Sequence, residues 1–140
     1  METTPNWLDI GALAPVMLLI LGGCALLLTE VFLQSRNRTY QAGLSALVAI
    51  VAALTAWVGA PETGRDIFHG FARADAFGAY AAVVVCATLA LTSLVAQSFL
   101  REQAAERGEF DALAHFGAAG MIVMAMATDL ITIFVALEVM

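Results

Sequence analysis

Four runs of apolar residues, each near the length of a membrane crossing, dominate this sequence. A helix needs about 20 such residues to traverse a hydrocarbon core of about 30 Å. The runs extend from about Ile10 to Leu33, Tyr40 to Gly59, Phe77 to Leu100 and Leu113 to Thr128. A fifth starts at Asp129 and reaches Met140. Those residues make about 18 Å of helix, which is less than a crossing. The fifth helix therefore reads as the opening part of a longer one. None of the runs alternates apolar and polar residues, as the strands of a transmembrane barrel must. The expected architecture is an all-α, polytopic transmembrane helix bundle. It has four complete helices and the start of a fifth, in a single domain over residues 1–140, with expected helices at about 10–33, 40–59, 77–100, 113–128 and 129–140.

Composition excludes the alternatives. Hydrophobic residues make up 61% of the chain and charged residues 13%, with mean hydropathy +0.88. A soluble domain is about 45–50% apolar and about 25% charged. A small soluble fold has too little interior for so much apolar side chain. Disorder requires the opposite balance, low hydrophobicity with high net charge. Twelve acidic residues stand against six basic ones, all arginine. Nucleic-acid binding needs a basic footprint, and none is present; the expected surroundings are the lipid bilayer. Met1–Ile10 holds no Lys or Arg, and no signal-peptide n-region can be drawn there, so the first run is expected to stay in place. Cys24 and Cys86 lie in apolar runs without metal-ligand spacing and read as small buried hydrophobes.

The polar connections set an orientation. Arg36, Arg38, Arg101 and Arg107 fall in the first and third connections, whereas Arg65 and Arg73 fall in the second. Excess arginine marks the cytoplasmic side, so the N-terminus is expected outside. Trp7 and Trp57 would then anchor at the outer interface and Tyr40 at the inner one. Small residues recur at spacing four in the second run, as Ala42 and Ala46, Ala49 and Ala53, then Ala52, Ala56 and Ala60, with Gly22 and Gly23 in the first run and Gly117–Gly120 in the fourth. Such faces let helices approach closely in lipid.

Glu138 stands out among residues able to carry chemistry. It lies nine positions past Asp129, a rise of about 13.5 Å and close to half the apolar thickness. An ionised carboxylate at that depth costs several kcal/mol unless paired, and such residues mark proton or ion paths. The bland alternative is a chain end lying in water. The chain has no lysine and its arginines all fall in connections. Glu138 therefore either holds its proton or takes a cationic partner from outside these 140 residues. Glu30 is read as an interfacial polar residue beside Arg36 and Arg38. Asp75 and Asp129 are read as charges at helix N-termini, with Asp129 a good N-cap. His115 is read as a shallow, hydrogen-bonded interfacial histidine, with proton relay the alternative. His69 falls in a connection. Met121, Met124 and Met126 are read as packing.

A family resemblance enters at the fourth-to-fifth helix junction. Gly108-Glu109-Phe110, Gly120-Met121 and the stretch Asp129-Leu130-Ile131-Thr132-Ile133-Phe134-Val135-Ala136-Leu137-Glu138 resemble the antiporter-like membrane subunits of bacterial respiratory complex I. Among these the likeness is greatest to subunit N of NADH:quinone oxidoreductase. Weaker matches are Leu13-Ala14-Pro15, Glu30 and Asp75-Ala76-Phe77. The resemblance implies a longer subunit, with this chain as its N-terminal portion, lodged in the bacterial inner (cell) membrane. It implies a proton channel in which a glutamate on the fifth helix pairs with a lysine on a later helix, and Glu138 occupies the position of that glutamate, the proton relay. The complex would pass electrons from NADH to quinone and pump protons. NADH, FMN, iron–sulfur clusters and quinone would be handled elsewhere in the complex. The partners implied are its other membrane subunits. This chain would bind no cofactor or metal and would not be catalytic in isolation. Val16 and His115 depart from the family pattern, which favours an acidic and an apolar residue there. The other readings are a subunit of a multi-subunit cation/proton antiporter and a small non-catalytic membrane scaffold.

Overall fold

A computed structural model describes residues 11–33, 39–61, 63–102 and 109–140. Its helices are α1 (Ala14–Leu33), α2 (Thr39–Val58), α3 (Ala76–Glu102), α4 (Glu109–Met126) and α5 (Leu130–Val139). The first four are long and apolar enough to cross a membrane, and α5 is a shorter apolar helix. The chain is an all-α polytopic membrane bundle. Between α2 and α3 lies a small antiparallel hairpin, β1 (Arg65–Ile67) and β2 (Ala72–Ala74), closed by a 3-10 turn at Phe68–Gly70.

Helices form here because a bilayer offers the backbone no other hydrogen-bond partners. The same pressure acts on side chains within the spans. The Thr29 hydroxyl donates to the Leu26 carbonyl, that of Thr55 to Ala52 and that of Thr88 to Val84, each at 2.8 Å. Each hydroxyl thus stays satisfied on its own helix. Outward faces remain apolar, as lipid requires: Phe32, Leu47, Leu54, Leu91 and Val95 are all exposed.

Small residues decide the packing. The inward face of α2 is Ala42, Ala46, Ala49, Ala52 and Ala56, all buried. It packs on α3 and α1, while α4 packs on α1, α3 and α5. Gly22 of α1 lies against Val48 of α2, and Gly23 lies against Phe116 of α4. At the α4–α5 contact a Cβ on Gly120 would stand 2.9 Å from the Ala136 carbonyl oxygen and 3.1 Å from the Met140 nitrogen. Only glycine permits that approach.

Helix boundaries differ from expectation in one consequential place. The fourth helix begins at Glu109, not near Leu113, so Asp111 belongs to a helix and not to a charged connection. Glu109 and Asp111 occupy its first turn, where the helix dipole favours negative charge. Likewise α3 continues to Glu102. Apolar runs mark the lipid-facing length of a helix, while the backbone ladder continues past it. The two cysteines also diverge. Cys86 is buried, but Cys24 is exposed on α1, because an all-apolar helix carries no signal for which side faces lipid. Trp57 is exposed near the end of α2 and Tyr40 near its start. Trp7, Arg36, Arg38 and Arg107 lie outside the described residues, as does the side chain of Arg101.

Gly120→Ala should weaken the α4–α5 contact by about 1–3 kcal/mol through overpacking against backbone. Gly43→Ala is the matched control, since nothing lies within 4 Å of a Cβ there. Unfolding in detergent micelles should separate the two, and equal stability of both variants would contradict the close approach.

Candidate functional site

The polar residues of the bundle gather at its two ends. At one end, where α2 and α4 finish and α3 and α5 begin, aspartates cap the helices. Asp75 accepts from the Gly78 amide at 2.8 Å and so satisfies a free donor in the first turn of α3. Asp129, in extended conformation, accepts from the Ile131 amide at 3.2 Å and caps α5. Both caps match their reading from sequence.

The hairpin ties this end together. Its strands alternate buried Ala72 and Ala74 with exposed Arg73, and Ile67 is buried. Arg73 lies 3.8 Å from Asp66 and 3.9 Å from Asp75. At the tip, Phe68, His69 and Gly70 have φ of 52°, 58° and 91°. Left-handed conformation at Phe68 and His69 carries strain of order 1–3 kcal/mol each. Contacts with the α4–α5 junction hold the tip in place. The Thr128 hydroxyl donates to the Gly70 carbonyl, the Thr128 amide donates to the Phe71 carbonyl at 3.2 Å, and Ala72 bridges Ala127. The break from which α5 departs is thereby fixed.

Glu138 sits in the last turn of α5, nine residues beyond its cap. Ala136 is the buried residue of α5 and meets Gly120 of α4. Glu138 is exposed, on the face turned away from that contact. Among the described residues it makes no hydrogen bond or ion pair. In lipid such a carboxylate requires a proton or a counter-charge.

At the opposite end the interior is polar. Glu30 of α1 accepts from the Gln41 amide of α2 at 2.8 Å, so a described partner of Glu30 is Gln41, while Arg36 and Arg38 lie outside the described residues. One turn deeper, the Ser45 and Ser93 hydroxyls are 2.7 Å apart, joining α2 to α3. Asp111 of α4 faces both hydroxyls. His115, one turn along α4, has Nδ1 2.8 Å from the Asp111 carbonyl oxygen. A carbonyl only accepts, so Nδ1 carries the hydrogen. Gln41, Ser45, Ser93, Asp111 and His115 are all buried, with His115 0% and Asp111 6% exposed. His115 is thus buried between helices and makes a hydrogen bond, as expected of it, two turns into α4.

Ser45, Ser93 and Asp111 escaped the sequence reading. The serines sit among alanines on apolar faces, where a small polar residue adds little contrast. Asp111 follows a charged connection without a break in polarity. The signal that could have found it is the Asp111–His115 spacing of four, which puts both on one helix face.

The chain is 41% identical over 133 residues to NADH-quinone oxidoreductase subunit N of Myxococcus xanthus (strain DK1622), a match covering 94% of this chain and 26% of that protein. It is similar to subunit N proteins over nearly all of its own length. The same-named protein of Desulfovibrio desulfuricans is 36% identical over 141 residues, covering 100% of this chain and 28% of its own length. NADH-quinone oxidoreductase subunit N 1 of Sorangium cellulosum is 34% identical over 143 residues, covering 92% and 28%. The chain thus spans little more than a quarter of the length of these subunit N relatives. No family model matches it.

Ser45→Ala and Ser93→Ala should each cost about 1 kcal/mol of bundle stability. Because the two hydroxyls share one hydrogen bond, the double variant should cost less than the sum. A double-variant cycle measured by unfolding in micelles checks this, and strict additivity would count against the bond.

Proposed function

We propose that this chain supplies part of the proton-translocating membrane subunit of NADH-quinone oxidoreductase, the complex that couples electron transfer from NADH to quinone with proton pumping. The single observation supporting this most is the match to subunit N proteins over nearly the whole chain, together with a carboxylate on an otherwise apolar helix at the end of the match. The proposed setting is the bacterial inner membrane. The arginine-rich connections lie on the cytoplasmic side and the N-terminus lies outside. The partners are the other membrane subunits of the complex. NADH, FMN, the iron–sulfur clusters and quinone are handled by those other parts, and this chain contributes helices and a proton relay.

Glu138 is the relay residue in this reading. The Asp129 cap and the hairpin clamp fix where α5 begins, and nine residues of helix set the depth of the carboxylate at about 13.5 Å from that start. Its side chain faces away from α4. A cation approaching that face would favour the ionised form, and its withdrawal would favour proton uptake. The carboxylate then alternates between holding and releasing one proton without leaving its place. The cationic partner comes from outside this chain's 140 residues, which contain no lysine.

In the assembled complex, Glu138→Ala should leave the helices inserted while proton pumping falls about tenfold or more, on the scale of losing a positioned proton-transfer group. Pumping in membrane vesicles and insertion by protease protection are the measurements. Normal proton-coupled quinone reduction in that variant would overturn the assignment.

A further inference from the structure

The buried group formed by Ser45, Ser93, Asp111 and His115 is not used by the Glu138 relay. We propose that Asp111 and His115 form a second proton-binding site, a pair that takes up one proton inside the bundle at the end where α2 and α4 begin. As a stage in proton translocation this rests on the function proposed above. As a binding site it stands on its own.

The geometry identifies the atoms. His115 Nδ1 keeps its hydrogen in either charge state, because its partner is the Asp111 carbonyl. Proton uptake on the ring is therefore confined to Nε2. That nitrogen is buried and makes no hydrogen bond of ordinary geometry, with the Ser45 backbone close to the ring, and Asp111 Oδ1 is likewise buried without a partner. A buried polar atom left unpaired costs about 1–3 kcal/mol. A cluster whose duty was only to join helices would be expected to close upon itself. This one joins α2 to α3 through the serines, yet leaves a basic nitrogen and a carboxylate oxygen bare.

The charge balance is simple. With Asp111 ionised and His115 neutral, the pair carries one negative charge in a bundle interior where charge is disfavoured. Binding one proton from the aqueous phase makes the pair neutral overall, either as carboxylate and imidazolium or as carboxylic acid and imidazole. No bond other than N–H or O–H is made or broken, and no electron moves. The Ser45 and Ser93 hydroxyls can serve both states, since either oxygen can donate to the other, and a hydroxyl rotates to suit its neighbours.

Among the described residues, the polar and ionisable groups of the surrounding helices are few. Helix α2 brings Gln41, Ser45 and, at its start, the exposed Tyr40. Helix α3 brings Ser93, with Cys86 two turns further along. On α4, Glu109 is exposed. Helix α1 brings Glu30, bonded to Gln41. Among the described residues, Asp111 is the ionisable group that acts electrostatically on His115.

The test is a titration of the 140-residue chain in lipid nanodiscs, with histidine labelled by 15N and aspartate by 13C. Exposed His69 is the internal reference. Across about pH 5 to 9, the range in which histidine changes charge, the His115 Nε2 signal should move as a proton binds, and the Asp111 carboxyl signal should move with it. Asp111→Asn should change the pH response of the His115 signal while leaving that of His69 as it was, because one half of the pair is gone. His115 and Asp111 signals that both stay fixed over the range would overturn the proposal. So would a titration identical in Asp111→Asn. If that variant does not fold, the unsubstituted chain decides: independent movement of the His115 and Asp111 signals refutes the pair. Since proton binding and not pumping is read, failure here leaves the Glu138 assignment standing.

Discussion

A polar group inside a bilayer must find its partner within the protein, and the rest of this structure depends on that constraint. It forces the backbone into helices. It returns the threonine hydroxyls to their own carbonyls, and it places aspartates where helix amides would otherwise be bare. It also explains why unpartnered atoms at Asp111, His115 and Glu138 deserve a chemical account. Among the described residues, Asp111 and His115 keep such atoms in the interior and Glu138 keeps one on the outer face of α5.

Close packing of small residues then gives the bundle its shape. Lipid provides no hydrophobic drive between helices, so contact area decides association. The alanine face of α2 and the glycines of α1 and α4 supply that area. The consequence for function is positional. Gly120 brings α5 against α4 through Ala136, and this turns Glu138 outward. The hairpin acts on the same helix from its start, through Thr128 and Ala127. Glu138 is thus held by two contacts that it does not itself make.

The helices were legible in the sequence because crossing length is a property of composition alone, and the small residues pointed to close helix packing without saying which faces meet. Asp75 and Asp129 were legible as caps because a cap is a local interaction. What stayed hidden depends on neighbours distant in sequence. Asp111 is buried only because α2 and α3 bring Ser45 and Ser93 to it. Cys24 is exposed because the neighbouring helices pack on other faces of α1. The hairpin was hidden for another reason: strands of three residues are too short to show alternation, and Ala72 is buried through its bridge to Ala127.

The central claim is a chain crossing the membrane four times, with the hairpin at one surface and the polar Asp111 end at the other. Single cysteines test this most directly, introduced as Asp66→Cys in the hairpin and Glu109→Cys at the start of α4, in a chain also bearing Cys24→Ala and Cys86→Ala. An impermeant maleimide applied to sealed vesicles should label one of the two, and the other only after the vesicles are permeabilised. Labelling of both from the same side would contradict the bundle and the proton sites placed on it.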